Sequence, residues 1–189
     1  MKITVCNGKG GAGKTTLSVL LAAAFRNAGH AVALLDRDPQ GTATRWIGET
    51  GDVPLATPDG THRLLIVDTP PQLDSPLLHA ALAESDIVLL VSSPSPADLW
   101  TSQDTVATIT RHLPAGRPAR LLFNQVQHRT VLARDLDALA ERIGLPALQT
   151  RIGRRQSFQH AALLGWSALD ADSREELLKA ALEIAALRP

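Results

Sequence analysis

Residues 8–15 read Gly8-Lys9-Gly10-Gly11-Ala12-Gly13-Lys14-Thr15, with Thr16 following, and they satisfy the pattern G-x-x-x-x-G-K-[ST]. The match lies between a short apolar run, Ile3–Val5, and a segment of helical spacing, Thr15–Ala28. In that context such a loop holds phosphates. Its glycines let the backbone turn tightly enough to aim several N–H groups at one point, at the positive end of the following helix. Lys14 is then placed for the β- and γ-phosphates, and the Thr15 hydroxyl for Mg2+. A strand–loop–helix unit also demands neighbours, because neither element can bury its apolar face alone.

The rest of the chain supplies them. Ala31–Leu35, Leu64–Val67, Ile87–Val91 and Arg120–Phe123 are short, mostly apolar and rich in branched residues, and Ala147–Thr150 is a weaker strand candidate. Near-continuous apolar runs suit strands buried on both faces. Pro76–Ala83, Ala97–His112, Val131–Ile143 and Ser173–Leu187 have helical spacing, with Ser173 as an N-cap and Gly29 and Gly144 just past two helices. Strands alternating with helices predict an α/β doubly wound, mainly parallel sheet flanked by helices. With 189 residues, residues 1–189 are expected to form a single domain. In such sheets ligands bind beyond the carboxyl ends of the strands. NGKGGAGKTT, DRDPQGT, DTPP, SSPSP and NQV follow the five strands, so polar and Gly/Pro-rich residues gather at that edge.

Composition narrows the class further. One cysteine, Cys6, excludes intramolecular disulfides and multi-cysteine metal or iron–sulfur sites. No apolar run approaches the length of a membrane span, and the chain opens without a charged-then-apolar leader, so a cytoplasmic protein is expected. The net charge is zero but uneven: −4 over residues 1–110, +6 over 111–155 and −2 over 156–189. A local excess of this size attracts polyanions, although an Arg-rich helical surface gives the same arithmetic.

Three further features carry chemistry. Asp68 ends the run Leu64-Leu65-Ile66-Val67-Asp68, which is the Walker B arrangement of a carboxylate beside the Mg2+ shell. Asp36 and Asp38, in Asp36-Arg37-Asp38-Pro39-Gln40-Gly41, either form a turn or place a carboxylate where it orients an attacking water. Lys9 is a second lysine where the loop needs only Lys14; it is either solvated or serves a nucleotide held by another subunit.

Together KGGAGKTT, DRDPQG and LLIVDTPP resemble the deviant Walker A, A′ and B motifs of the ParA/MinD ATPases, with Ala12 where Val is more common. The resemblance extends through Asn124 and Ile152–Gly165 to the C-terminal helix. It implies a homodimer driven together by ATP and Mg2+, with Lys9 contacting the opposite subunit's phosphates. It further implies that Asp38 activates water, that Asp36 supports the metal and switch region, and that Asn124 recognises adenine. Lys9, Lys14 and Asp38 are thus the catalytic candidates. Gly8 to Thr16 with Asn124 are the nucleotide-binding candidates, and Thr15, Asp36 and Asp68 the metal candidates.

Within that family the C-terminal stretch SREELLKAALEIAALRP is too acidic for a membrane-targeting helix, so no membrane partner is expected. The stretch Arg151-Ile152-Gly153-Arg154-Arg155 resembles the segment through which ParA proteins hold nonspecific DNA. Arg151, Arg154 and Arg155 are the DNA-binding candidates, either on a shared surface or as a helix cap or nucleotide contact. The chain looks like a compact ParA without an N-terminal DNA-reading domain, its Gly41–Leu64 stretch short and turning at Thr57-Pro58-Asp59-Gly60. Such a protein is nucleoid-associated and positions a plasmid, chromosome or protein complex, with a ParB-like or other adaptor stimulating hydrolysis. The competing readings are a DNA-independent positioning ATPase and a metabolic ATP-dependent ligase of the same superfamily.

Overall fold

Five apolar runs form one sheet: β1 (Lys2–Cys6), β2 (Val32–Asp36), β3 (Leu64–Asp68), β4 (Ile87–Ser92) and β5 (Ala119–Phe123). The computed structural model describes residues 1–57, 62–127 and 135–187. The strand order is β2-β3-β1-β4-β5 and every pairing is parallel. All five carboxyl ends therefore meet at one edge, as predicted. The central strand β1 places Val5 beside Asp68 and Cys6 beside Leu90. After β3 the chain crosses to the other side of β1, so the loop leaving β1 lies where the winding reverses.

Helices cover both faces: α1 (Lys14–Asn27), α2 (Thr42–Thr50), α3 (Pro76–Ala83), α4 (Pro96–His112), α5 (Leu136–Ile143), α6 (Ser157–Leu164) and α7 (Ala171–Ala186). Alternation along the strands divides the core. Ile3, Val5, Ile66, Leu89 and Val91 pack with α1, α2, α6 and α7. Cys6, Val88, Leu90, Leu121 and Phe123 pack with α3, α4 and α5. Cys6 is a fully buried core residue, and burial pushes its thiol up to about 12 although nearby Lys14 opposes this. Such a thiol is inert.

Several expectations change. Residues 147–150 make only a single bridge, Leu121 to Ala147, because the N–H groups of Gln149 (2.5 Å) and Thr150 (3.0 Å) donate to the Glu183 carboxylate instead of to a strand. Ser173 is not the cap of the last helix; Asp170 is, its side chain accepting from Ser173 N at 2.8 Å. Helices α2 and α6 lie outside the segments of helical spacing. Of Val131–Ile143 only Leu136–Ile143 is seen as helix, and residues 131–134, like 58–60 of the expected turn, lie outside the described residues. Gly29 (φ 88°) and Gly144 (φ 83°) do end their helices in the left-handed region.

Candidate functional site

The loop between β1 and α1 is held from several sides. Gly8 N donates to Thr105 Oγ1 at 3.0 Å and Lys9 N to Asn7 Oδ1 at 2.8 Å. Asn7 Nδ2 in turn donates to Val91 O at 2.5 Å. From the end of β5, Asn124 Nδ2 donates to Ala12 O at 2.9 Å and Gln125 Nε2 to Gly11 O at 3.1 Å. Gly13 explains how Asn124 comes so close. Its φ is 91°, and a Cβ there would stand 2.2 Å from Asn124 Nδ2. Nothing lies within 4 Å of the Cβ positions of Gly10 and Gly11, so the rim of the loop is open.

Lys14 is buried, and its ammonium donates to Lys9 O at 3.0 Å. Burial holds its pKa below the ordinary lysine value, with Asp68 the largest of the influences opposing this. Asp68 is fully buried. Its carboxylate accepts from Thr15 Oγ1 at 2.7 Å and Ser18 Oγ at 2.9 Å. Burial nevertheless pushes its pKa up to about 6, against these two hydroxyls. Ser18 is a partner that the motif did not reveal; it lies one turn after Thr15 on α1, a spacing that puts both hydroxyls on one helix face.

The two aspartates after β2 differ in what they do. Asp36 Oδ2 accepts from Thr44 N at 2.9 Å and Thr44 Oγ1 at 3.0 Å, and its Oδ1 accepts from Asp38 N at 3.1 Å. It thus satisfies an orphan donor in the first turn of α2, whose Gly41 cap has no side chain. Asp38 Oδ1 accepts from Gln40 N at 3.0 Å, and the residue lines a cleft beside the loop.

That cleft has a volume of about 610 Å3 and is lined by Lys14, Thr15, Thr16, Asp38, Asn124 and Arg154, among others. Asp38 is the one carboxylate among the described residues lining it. Asp36, Asp68, Gly8, Lys9 and Ala12 are not part of the lining. The side chain of Lys9 instead donates to the Asp98 carboxylate of its own chain.

The profile of the CobQ/CobB/MinD/ParA nucleotide binding domain matches residues 3–165. The chain belongs to this family. It is 32% identical over 191 aligned positions to the Maintenance of carboxysome distribution protein A of Halothiobacillus neapolitanus, covering 91% of this chain and 88% of that one. It is 38% identical over 185 positions to the protein of the same name from Gloeobacter kilaueensis, covering 88% and 83%. Its fold is similar to that of a Cyanothece McdA(D38A)–ATP complex, with a TM-score of 0.79 and 14% identity over 100% of this chain and 97% of that one. ParA and MinD proteins are ATPases, and the chain is an ATPase of this P-loop type.

The residues present suit the ATP and Mg2+ of the ParA/MinD ATPases. The Gly10–Gly11 rim leaves room for phosphate, and Lys14 is at its foot. Thr15, whose hydroxyl is held by the buried Asp68 carboxylate, is the member of the metal set that lines the cleft. Asp36 has both oxygens occupied by its own chain.

The arginines of the ParA-like segment do not form one outward cluster. Arg151 pairs with Asp137 at 3.1 Å and lies 5.5 Å above the centre of the Phe123 ring. Arg155 pairs with Glu176 at 2.5 Å and Asp172 at 3.4 Å. Glu176 also accepts from Gly153 N at 2.9 Å, so the acidic face of α7 pins this segment. Arg154 is exposed, and no side-chain partner is seen for it among the described residues. Both Arg154 and Arg155 line the cleft, with Phe158 and Gln159 of α6.

Proposed function

We propose that the chain is a positioning ATPase that pairs with a second copy when loaded with ATP and Mg2+, binds nonspecific DNA in that state, and moves a protein assembly whose adaptor stimulates hydrolysis. The observation that carries the reading is the pair of lysines on one loop. Lys14 lies at the foot of the chain's own cleft, while Lys9 is excluded from it. A cation on the loop with no place in its own cleft is suited to a nucleotide held by a facing copy. Similarity along most of the length of two proteins named for carboxysome distribution favours a protein assembly as cargo.

In this reading the Gly10–Gly11 amides and Lys14 bind the phosphates, and Lys9 of a second copy completes their neutralisation. Mg2+, when bound, would supply positive charge to offset the phosphates. Thr15 would hold it, with Asp68 orienting the Thr15 hydroxyl and Asp36 shaping the switch that begins α2. Asp38 accepts a proton from, or orients, the attacking water. Asn124, which ties the end of β5 to the loop through Ala12 O, is the adenine-recognising residue of this reading.

DNA binding is supported by the excess of +6 over residues 111–155 and, within the Arg151–Arg155 stretch, chiefly by Arg154. The ion pairs of Arg151 and Arg155 favour the second reading, a positioning ATPase that works without DNA. Retention on random-sequence DNA decides between them. The ATP-loaded chain is expected to be retained at low salt and released as salt rises, as counterion release requires, and Arg154→Glu is expected to weaken retention. No retention in any nucleotide state would favour the DNA-independent reading.

A further inference from the structure

We propose that Asp98 is the positioning residue for Lys9: it holds the loop lysine within its own chain, and ATP-driven pairing of two chains has to break that contact. The inference rests on the dimerising role of Lys9 proposed above.

Asp98 stands in the first turn of α4, and its side chain is only 3% exposed, whereas that of Lys9 is 42% exposed. One carboxylate oxygen accepts from Lys9 Nζ and the other from Ser93 Oγ. Its backbone N donates to Ser95 Oγ at 3.2 Å, which caps the helix. Burial acts to raise the Asp98 pKa, yet the Lys9 and Ser93 contacts outweigh it and hold the carboxyl below its ordinary value. The backbone of residue 9 is fixed at both ends, its N–H on Asn7 and its carbonyl receiving Lys14 Nζ. Only the Lys9 side chain is therefore free to change partner.

A buried carboxylate that loses its cation keeps its desolvation cost. When Lys9 departs, Asp98 retains the Ser93 hydroxyl and the amide dipoles at the start of α4. These make the departure feasible without making it free. The chain thus has two arrangements, Lys9 on Asp98 or Lys9 on a facing chain's phosphates, and nucleotide shifts the balance only by what it adds to the second. Asp98 sets how much ATP that shift needs.

The test is molar mass by light scattering across an ATP-analogue titration with Mg2+, using the full chain. Asp98→Asn keeps the shape and removes the charge, and its half-maximal analogue concentration for dimer is expected to fall by about fivefold or more. Ser93→Ala removes the other support of the carboxylate, leaves it more dependent on Lys9, and is expected to raise that concentration. Binding of a fluorescent ATP analogue to the monomer is expected to stay unchanged in both, since neither residue lines the cleft. An unchanged or higher midpoint in Asp98→Asn overturns the proposal. Should that variant fold poorly by its thermal melt, an unchanged or lower midpoint in Ser93→Ala overturns it instead. Lys9→Ala separates the two layers: if it pairs as readily as the wild type, the dimerising role of Lys9 itself fails.

Discussion

Asp38→Ala is expected to cut ATP turnover by roughly 10²–10⁴-fold, the range a positioned general base supplies, while the ATP-loaded assembly accumulates. Among the described residues this carboxylate accepts one hydrogen bond, from Gln40 N, so its loss leaves the core and the phosphate loop in place. It is also the one carboxylate among the described residues lining the cleft, and no acid there stands ready to replace it. Asp36 cannot substitute, because its two oxygens organise the start of α2. Phosphate release measured beside light scattering checks both halves. Turnover close to wild type would move the water-activating role elsewhere.

Gly13→Ala is expected to act on the fold as well as on the ligand. At φ 91° an alanine is strained, and its Cβ would stand 2.2 Å from Asn124 Nδ2. Asn124 would have to swing away and abandon its bond to Ala12 O, loosening the loop from the end of β5. Left-handed strain, a lost buried hydrogen bond and the clash together suggest a loss of roughly 2–4 kcal/mol, with weaker nucleotide binding on top. Gly10→Ala is the control. Its Cβ meets nothing within 4 Å, so its denaturation midpoint is expected to stay near wild type while nucleotide affinity falls. Equal destabilisation of the two variants would contradict the role given to Asn124.

The parts legible in the sequence are those whose signal is local. A buried parallel strand writes itself as a short branched apolar run, and all five appear within one residue of the predicted bounds at either end. The phosphate loop was legible because its chemistry needs fixed residues at fixed spacing. Helix α2 was not, since TATRWIGET carries threonines and a glycine, and its start is stabilised by a carboxylate from the end of β2 rather than by its own cap. The stretch 147–150 reads as a strand because nothing in it reveals that Glu183, more than thirty residues on, takes two of its amides. The partners of the basic segment are likewise distant in sequence. Three arginines within five residues suggest one cationic surface, but Asp137, Asp172 and Glu176 neutralise two of them from other helices. The Lys9–Asp98 contact likewise joins residues 89 positions apart, beyond any local pattern.

In the proposed function the extra loop lysine acts on a second copy of the chain. Molar mass in solution with a non-hydrolysable ATP analogue and Mg2+ tests it most directly. The wild type is expected at a mass near twice 20.1 kDa with the analogue and near one chain with ADP, whereas Lys9→Ala is expected to bind the analogue and stay a single chain. A wild-type mass that remains near one chain at saturating analogue, or a Lys9→Ala variant that doubles as the wild type does, would contradict it.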